Sequence, residues 1–131
     1  MQFQYTDENV FETECQFGTM TISGDESKGF RPYELMVSSI AVCSGNVFRK
    51  VLEKQRMTVR DIKVDADIKR DPEEANRITH IHLHYTLHGA GFVDKKVEKA
   101  MHLAQKNCPM SQSVKDSIAL SESYTIAENQ E

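Results

Sequence analysis

The residues in this chain whose types could do chemistry are three cysteines and a run of alternating histidines. A thiolate, rather than a thiol, is the nucleophile and the metal ligand, so each cysteine is judged by what surrounds it. Cys43 falls in the middle of a long apolar stretch between Tyr33 and about Gln55. Thiols in such surroundings are usually inert and pack as small hydrophobes. Ser39 stands one helical turn before it, and Ser44 and Gly45 follow it directly. Small residues there leave room for a substrate or for close helix–helix packing. Cys108 directly precedes Pro109 at a predicted helix start, which places it near an N-cap. The partial positive charge and unpaired N–H groups of that end favour a thiolate. The competing reading is a buried turn cysteine. Cys15, between Glu14 and Gln16 in an early strand, receives no role. The cysteines lie far apart with no CxxC pair, which disfavours a zinc knuckle. Their odd number argues against a structural disulfide framework.

His80, His82 and His84 alternate along one predicted strand, and His88 continues on the same face. A period of two gathers their side chains as a metal site would require. Ile81, Leu83, Tyr85 and Leu87 occupy the opposite face and form the predicted core. The histidines therefore read as the polar face of a half-buried strand, and neither metal nor cofactor is expected. Asp71-Pro72-Glu73-Glu74 reads as a solvated turn. No GxGxxG, GxxxxGK[ST] or GxSxG motif occurs, so nucleotide and hydrolase chemistry have no support.

The elements that must position these residues follow from periodicity. Phe3 and Tyr5, then Val10 to Cys15 and Thr19 to Ser23, predict a small antiparallel meander. Gly24 to Gly29 is a polar loop. Pro32 suits a helix first turn. Leu35, Met36, Ile40, Cys43, Val47, Val51 and Leu52 then recur at helical spacing. Val37, Ala41, Val42 and Phe48 widen that stripe almost all round. A helix apolar on most sides is buried on most sides, and so short a chain can hardly cover it alone. That points to a partner subunit. Ile62, Val64, Ala66 and Ile68 predict a strand, paired through an acidic turn with the strand from Thr79 to Leu87. Val93, Val97, Ala100, Met101 and Ala104 predict a helix stopped at Asn107. A short helix from Cys108 to about Ile118 and a strand from Ser121 to Ala127 complete an α+β order.

The 131 residues fit one domain, residues 1–131. An apolar fraction of 39% and a charged fraction of 27% are ordinary for a globular chain. The net charge of -4 and the pI near 5.7 disfavour nucleic acid as a partner. No apolar run is expected to reach the roughly 20 residues of a membrane span. The N-terminus lacks the features of a signal peptide, so a cytoplasmic location is expected.

These residues match a known pattern. Gly29-Phe30-Arg31-Pro32-Tyr33-Glu34-Leu35-Met36, followed by Ser38-Ser39-Ile40-Ala41-Val42-Cys43, resembles the first active-site helix of the OsmC/Ohr superfamily. Asn107-Cys108-Pro109-Met110-Ser111 resembles its second cysteine motif, and the strand from Thr79 to Tyr85 is similar to a subgroup of OsmC-like proteins. The resemblance implies an intertwined homodimer, with antiparallel sheets wrapped around long central helices. It implies a thiol peroxidase that reduces organic hydroperoxides in defence against peroxide stress. Cys43 would be the peroxidatic thiol and Cys108 the resolving thiol, close together in space. A sulfenic acid on the first would condense with the second to a disulfide, which an external, typically lipoyl-linked dithiol would reduce. Tyr33 stands where the hydroperoxide-reducing members carry a glutamate, Glu34 matches the neighbouring acidic position, and residues 1–30 contain no arginine where those members have one. The competing functions are a non-enzymatic binder of a small apolar ligand in a dimer-interface pocket and a redox sensor.

Overall fold

The computed structural model describes residues 1–130 and divides into two compact units, Met1–Ser38 and a second beginning at Ser39. In the first, β1 (Phe3–Asp7), β2 (Val10–Glu14) and β3 (Thr19–Ser23) form an antiparallel meander in that order. Glu8 and Asn9 turn β1 into β2 with φ of 49° and 69°, a conformation asparagine tolerates better than most residues. The segment leading to the long helix is clipped to β3. The Phe30 N–H donates to the Thr21 carbonyl at 2.9 Å, and the Ser23 N–H to that of Phe30 at 3.0 Å. Gly29 permits this approach, since a Cβ there would lie 2.9 Å from the Thr21 carbonyl oxygen.

Helix α1 (Pro32–Lys54) begins in this unit and continues into the second. No charged residue falls between Glu34 and Arg49. Its serines and glycine interrupt the apolar pattern without lowering the average much. Contrary to the expectation from the sequence, α1 is thus long and apolar enough to cross a membrane by length and composition alone. The same property suits a helix that serves as a core.

In the second unit, β4 (Thr58–Asp71) and β5 (Arg77–Ala90) form a long antiparallel pair. Helices α2 (Asp94–Asn107) and α3 (Pro109–Val114) return the chain, so β6 (Ala119–Gln130) joins β5 in parallel. The sheet is therefore mixed, as a helical crossover requires. Ile40, Phe48 and Leu52 of α1, Ile81, Leu83, Tyr85 and Leu87 of β5, and Val97, Ala100 and Ala104 of α2 make the core. Phe48 and Tyr85 meet edge-on with ring centroids 4.7 Å apart. Gly45 serves helix–sheet rather than helix–helix packing here: a Cβ would lie 3.1 Å from Val64 Cγ2. The helix after Cys108 is shorter than the sequence suggests. It stops at Val114 and leaves Lys115-Asp116-Ser117 as a polar turn before buried Ile118.

A candidate thiol site

Cys108 is 0% exposed and is the N-cap residue of α3. Its Sγ accepts the Ser111 N–H at 3.4 Å, and its carbonyl accepts the Gln112 N–H at 3.0 Å. Pro109, which has no N–H to satisfy, occupies the first turn of this short helix. Cys43 comes from the middle of α1 and is partly exposed. The two sulfurs lie side by side, near enough that each sets the protonation of the other. Burial pushes the Cys43 thiol up, and the neighbouring Cys108 adds to this. Burial also acts to raise Cys108, but it is outweighed by the Ser111 hydroxyl, the Cys43 thiol and the Ser111 and Met110 amides. The result is a thiol below its ordinary value. Of the two thiols, Cys108 is therefore the readier to give up its proton. Both are free cysteines, as is Cys15.

Behind the pair lies a buried polar line. The hydroxyls of Ser44 and Tyr85, both 0% exposed, share a hydrogen bond of 2.7 Å. Glu122 enters from β6, in register with Leu83 and so on the core face. Its two carboxylate oxygens are buried and accept no hydrogen bond of good geometry among the described residues. The Tyr85 hydroxyl lies within electrostatic reach of both Glu122 and Cys108. Burial raises the Glu122 carboxyl above its usual range, partly offset by Tyr85 and by His102. A small space of about 10 Å³ is lined by Ser44, Gln105, Ser111 and Glu122, among others.

The histidines lie opposite the core. His82 Nδ1 and Nε2 meet the Ser121 and Ser123 hydroxyls at 2.7 and 2.8 Å. His84 Nδ1 and Nε2 meet those of Ser123 and Thr125 at 2.6 and 3.0 Å. This ladder bridges β5 and β6 on the polar face. Among the described residues no group of three His, Cys, Asp or Glu side chains is placed to hold a metal ion. Glu34 is exposed in the first turn of α1, where a carboxylate favours the positive helix end. The Arg31 guanidinium sits 4.8 Å from the centre of the Tyr33 ring, so the tyrosine at the expected glutamate position binds the nearest arginine.

Sequence reasoning missed Ser111, Tyr85 and Glu122 as members of the site. The signal for Glu122 was present: in Leu120, Glu122, Tyr124 and Ile126 one acid stands on the core-facing alternation.

A mixed sheet covered by helices, with a thiol pair at the junction of a long helix and a short one, defines the structural class. The chain belongs to the OsmC-like protein family, whose model matches residues 24–123. It is similar to a hypothetical protein from Aquifex aeolicus, with 26% identity, 98% of this chain and 96% of that one covered, and a TM-score of 0.87. It shares the fold of an OsmC-like protein from Mycoplasma pneumoniae, at 13% identity, coverage of 98% and 95%, and a TM-score of 0.81. The organic hydroperoxide resistance protein OhrB of Bacillus subtilis also has this fold, at 15% identity, coverage of 95% and 96%, and a TM-score of 0.67. No curated protein sequence matches the chain significantly.

Proposed function

We propose that this protein reduces organic hydroperoxides through Cys43 and Cys108. The observation that supports this reading best is the paired thiols: the partly exposed Cys43 beside a buried Cys108 whose ionisation is favoured by the start of α3. A cysteine mid-helix has no reason of its own to ionise. Here the neighbouring thiolate is a base. As Cys43 approaches the distal peroxide oxygen, its proton passes to Cys108. The sulfur–oxygen bond forms, the O–O bond breaks, and Cys43 becomes a sulfenic acid. The departing alkoxide takes the proton from Cys108 and leaves as alcohol. The restored Cys108 thiolate then attacks the Cys43 sulfur, forming a disulfide and expelling hydroxide. An external dithiol returns two electrons and restores the pair.

The reading includes a homodimer. Val42 on α1 is 69% exposed, and Val47 and Val51 are only partly covered within the chain. An apolar helix face left open in this way is suited to a second copy. The Bacillus subtilis neighbour is an organic hydroperoxide resistance protein, in line with this substrate class.

The test is consumption of cumene hydroperoxide against hydrogen peroxide, with a lipoyl-type dithiol as reductant. Turnover that prefers the organic peroxide and vanishes in Cys43→Ser is expected. Turnover that survives this substitution, or wild-type protein that leaves the organic peroxide untouched, would overturn the reading.

A further inference from the structure

We propose that Glu122 is the internal proton reservoir of the thiol pair: it is protonated while the thiols are reduced and ionised while they form a disulfide, so that one negative charge stays in the site and moves between sulfur and carboxylate. This rests on the reading that Cys43 and Cys108 cycle between dithiol and disulfide.

Three observations carry it. Both Glu122 oxygens are buried without a good hydrogen bond among the described residues, which a permanent carboxylate tolerates poorly. The Tyr85 hydroxyl is hydrogen-bonded to Ser44 and lies within electrostatic reach of both Glu122 and Cys108. Glu122 and Ser44 line one small interior space, and Ser111, whose amide N–H donates to Cys108 Sγ, lines it with them. The groups facing Glu122 are few. β5 supplies Tyr85, and α2 supplies His102, which is itself largely exposed and 4.0 Å from Glu98. α1 supplies the Ser44 hydroxyl, next to Cys43 in sequence, α2 and α3 add the uncharged Gln105 and Ser111, and Cys108 is within electrostatic reach of Tyr85. None of these groups is a buried cation, so two negative charges, one on Cys108 and one on Glu122, would repel in a medium of low dielectric. While Cys108 carries its charge, Glu122 holds a proton. Once the disulfide forms, the thiolate is gone and the carboxyl is free to ionise. Ser44 and Tyr85 can exchange donor and acceptor roles within their hydrogen bond, which lets Tyr85 turn its proton toward Glu122.

The balance closes. The Cys43 thiol, the Cys108 thiolate, the Glu122 carboxylic acid and one hydroperoxide give the disulfide, an alcohol, water and the Glu122 carboxylate. The peroxide is reduced by two electrons and the sulfurs are oxidised by two. The Glu122 proton neutralises the hydroxide that resolution releases. In the return step an external dithiol delivers two electrons and two protons, one to Cys43 and one to Glu122. Glu122 is a positioning residue in this scheme, since it touches neither peroxide nor sulfur.

The experiment is the pH slope of the reduction potential of the Cys43–Cys108 couple, poised with a dithiol/disulfide buffer near neutrality, in wild type and Glu122→Gln. Wild type is expected to take up two protons per disulfide reduced and the variant one, halving the slope. Equal slopes would overturn the proposal. Infrared difference spectra of the wild type, oxidised by the diazene dicarboxamide diamide, give a second reading that needs no variant to fold. The band of a protonated carboxylic acid should disappear on oxidation, and its persistence would also overturn the proposal. If diamide closes the disulfide and organic peroxide does not, the peroxidase reading fails while this one stands. A working peroxidase with equal slopes has the opposite meaning. If no oxidant closes the disulfide, both fall.

Discussion

The buried hydroxyl pair of Ser44 and Tyr85 offers a test of how the site is held. Both residues are fully buried, and their oxygens are 2.7 Å apart. Tyr85→Phe removes one oxygen and leaves the Ser44 hydroxyl without its partner. An orphaned buried polar group costs on the order of 1–3 kcal/mol, so about 2 kcal/mol is expected. Ser44→Ala orphans the Tyr85 hydroxyl at a similar cost. It also recovers about 0.5 kcal/mol of helix propensity, giving a net loss of about 1.5 kcal/mol. Replacing both removes the pair together and leaves no orphan in the helix–sheet contact. The double variant should then lose only about 0.5 kcal/mol, the net worth of one hydrogen bond less the gain in helix propensity, rather than an additive loss of about 3.5 kcal/mol, a coupling of about 3 kcal/mol. For a chain of this length each kcal/mol moves Tm by about 4 °C, so each single variant should melt roughly 6–8 °C lower. Urea denaturation gives the energies and thermal melting the shifts. Additive losses, with coupling below about 0.5 kcal/mol, would show that the two hydroxyls are not each other's partners and would refute the reasoning.

Three further outcomes are expected. Replacing His82 and His84 together by Thr removes four hydrogen bonds on the polar face, and should cost about 2 kcal/mol in urea denaturation while leaving peroxide consumption unchanged; lost activity in a folded variant would contradict a purely structural ladder. Val47→Asp should convert the proposed dimer to monomer at micromolar concentration in sedimentation, because a buried unpaired charge costs several kcal/mol; wild type that already sediments as a stable monomer would defeat that expectation. The raised Glu122 carboxyl stabilises the fold fully below its ordinary value near 4.5, and this contribution is lost as pH rises through its higher folded value. Denaturation midpoints of wild type should thus fall relative to Glu122→Gln as pH rises from the acid range, and parallel profiles would show that Glu122 keeps one protonation state throughout.

Much of this fold was legible because its periods are clean. Ile81, Leu83, Tyr85 and Leu87 alternate with histidines, and all four are buried. The stops at Asn107 and around Gly89 to Gly91 come from residues whose backbone preferences end helices and strands. The parallel pairing of β6 was not legible, since periodicity says which face is buried and not which neighbour is paired. The two cysteine motifs marked the thiols, and Cys108-Pro109 revealed the N-cap through local backbone rules. What surrounds the thiols depends on tertiary contact. Tyr85 reads as one more core aromatic until Ser44 is placed against its hydroxyl. The helix α1 misled in a different way: averaged hydropathy cannot tell a core helix from a spanning one, because both must be apolar all round.

The missing arginine is where sequence and structure bear on each other most directly. Residues 1–30 contain none, and Arg31 is stacked on Tyr33. A thiol pair can still hold a charge without a cation if one sulfur collects enough donors. Cys108 is drawn toward ionisation by the Ser111 amide at 3.4 Å, the Ser111 hydroxyl, the Met110 amide and the thiol of Cys43. Such donors are fixed dipoles and require no compensating buried charge, so the fold avoids the cost of desolvating an ion pair. The consequence is a division of labour between the sulfurs. The thiol that ionises the more readily is the one solvent cannot reach, Cys108, and the partly exposed Cys43 holds its proton the more tightly. In the proposed mechanism, reactivity at Cys43 depends on proton transfer inside the pair rather than on a nearby cation. Ionic strength, which screens surface cations, should therefore alter its alkylation rate only slightly. A steep loss of alkylation rate with added salt would instead point to an exposed cation as the activating group.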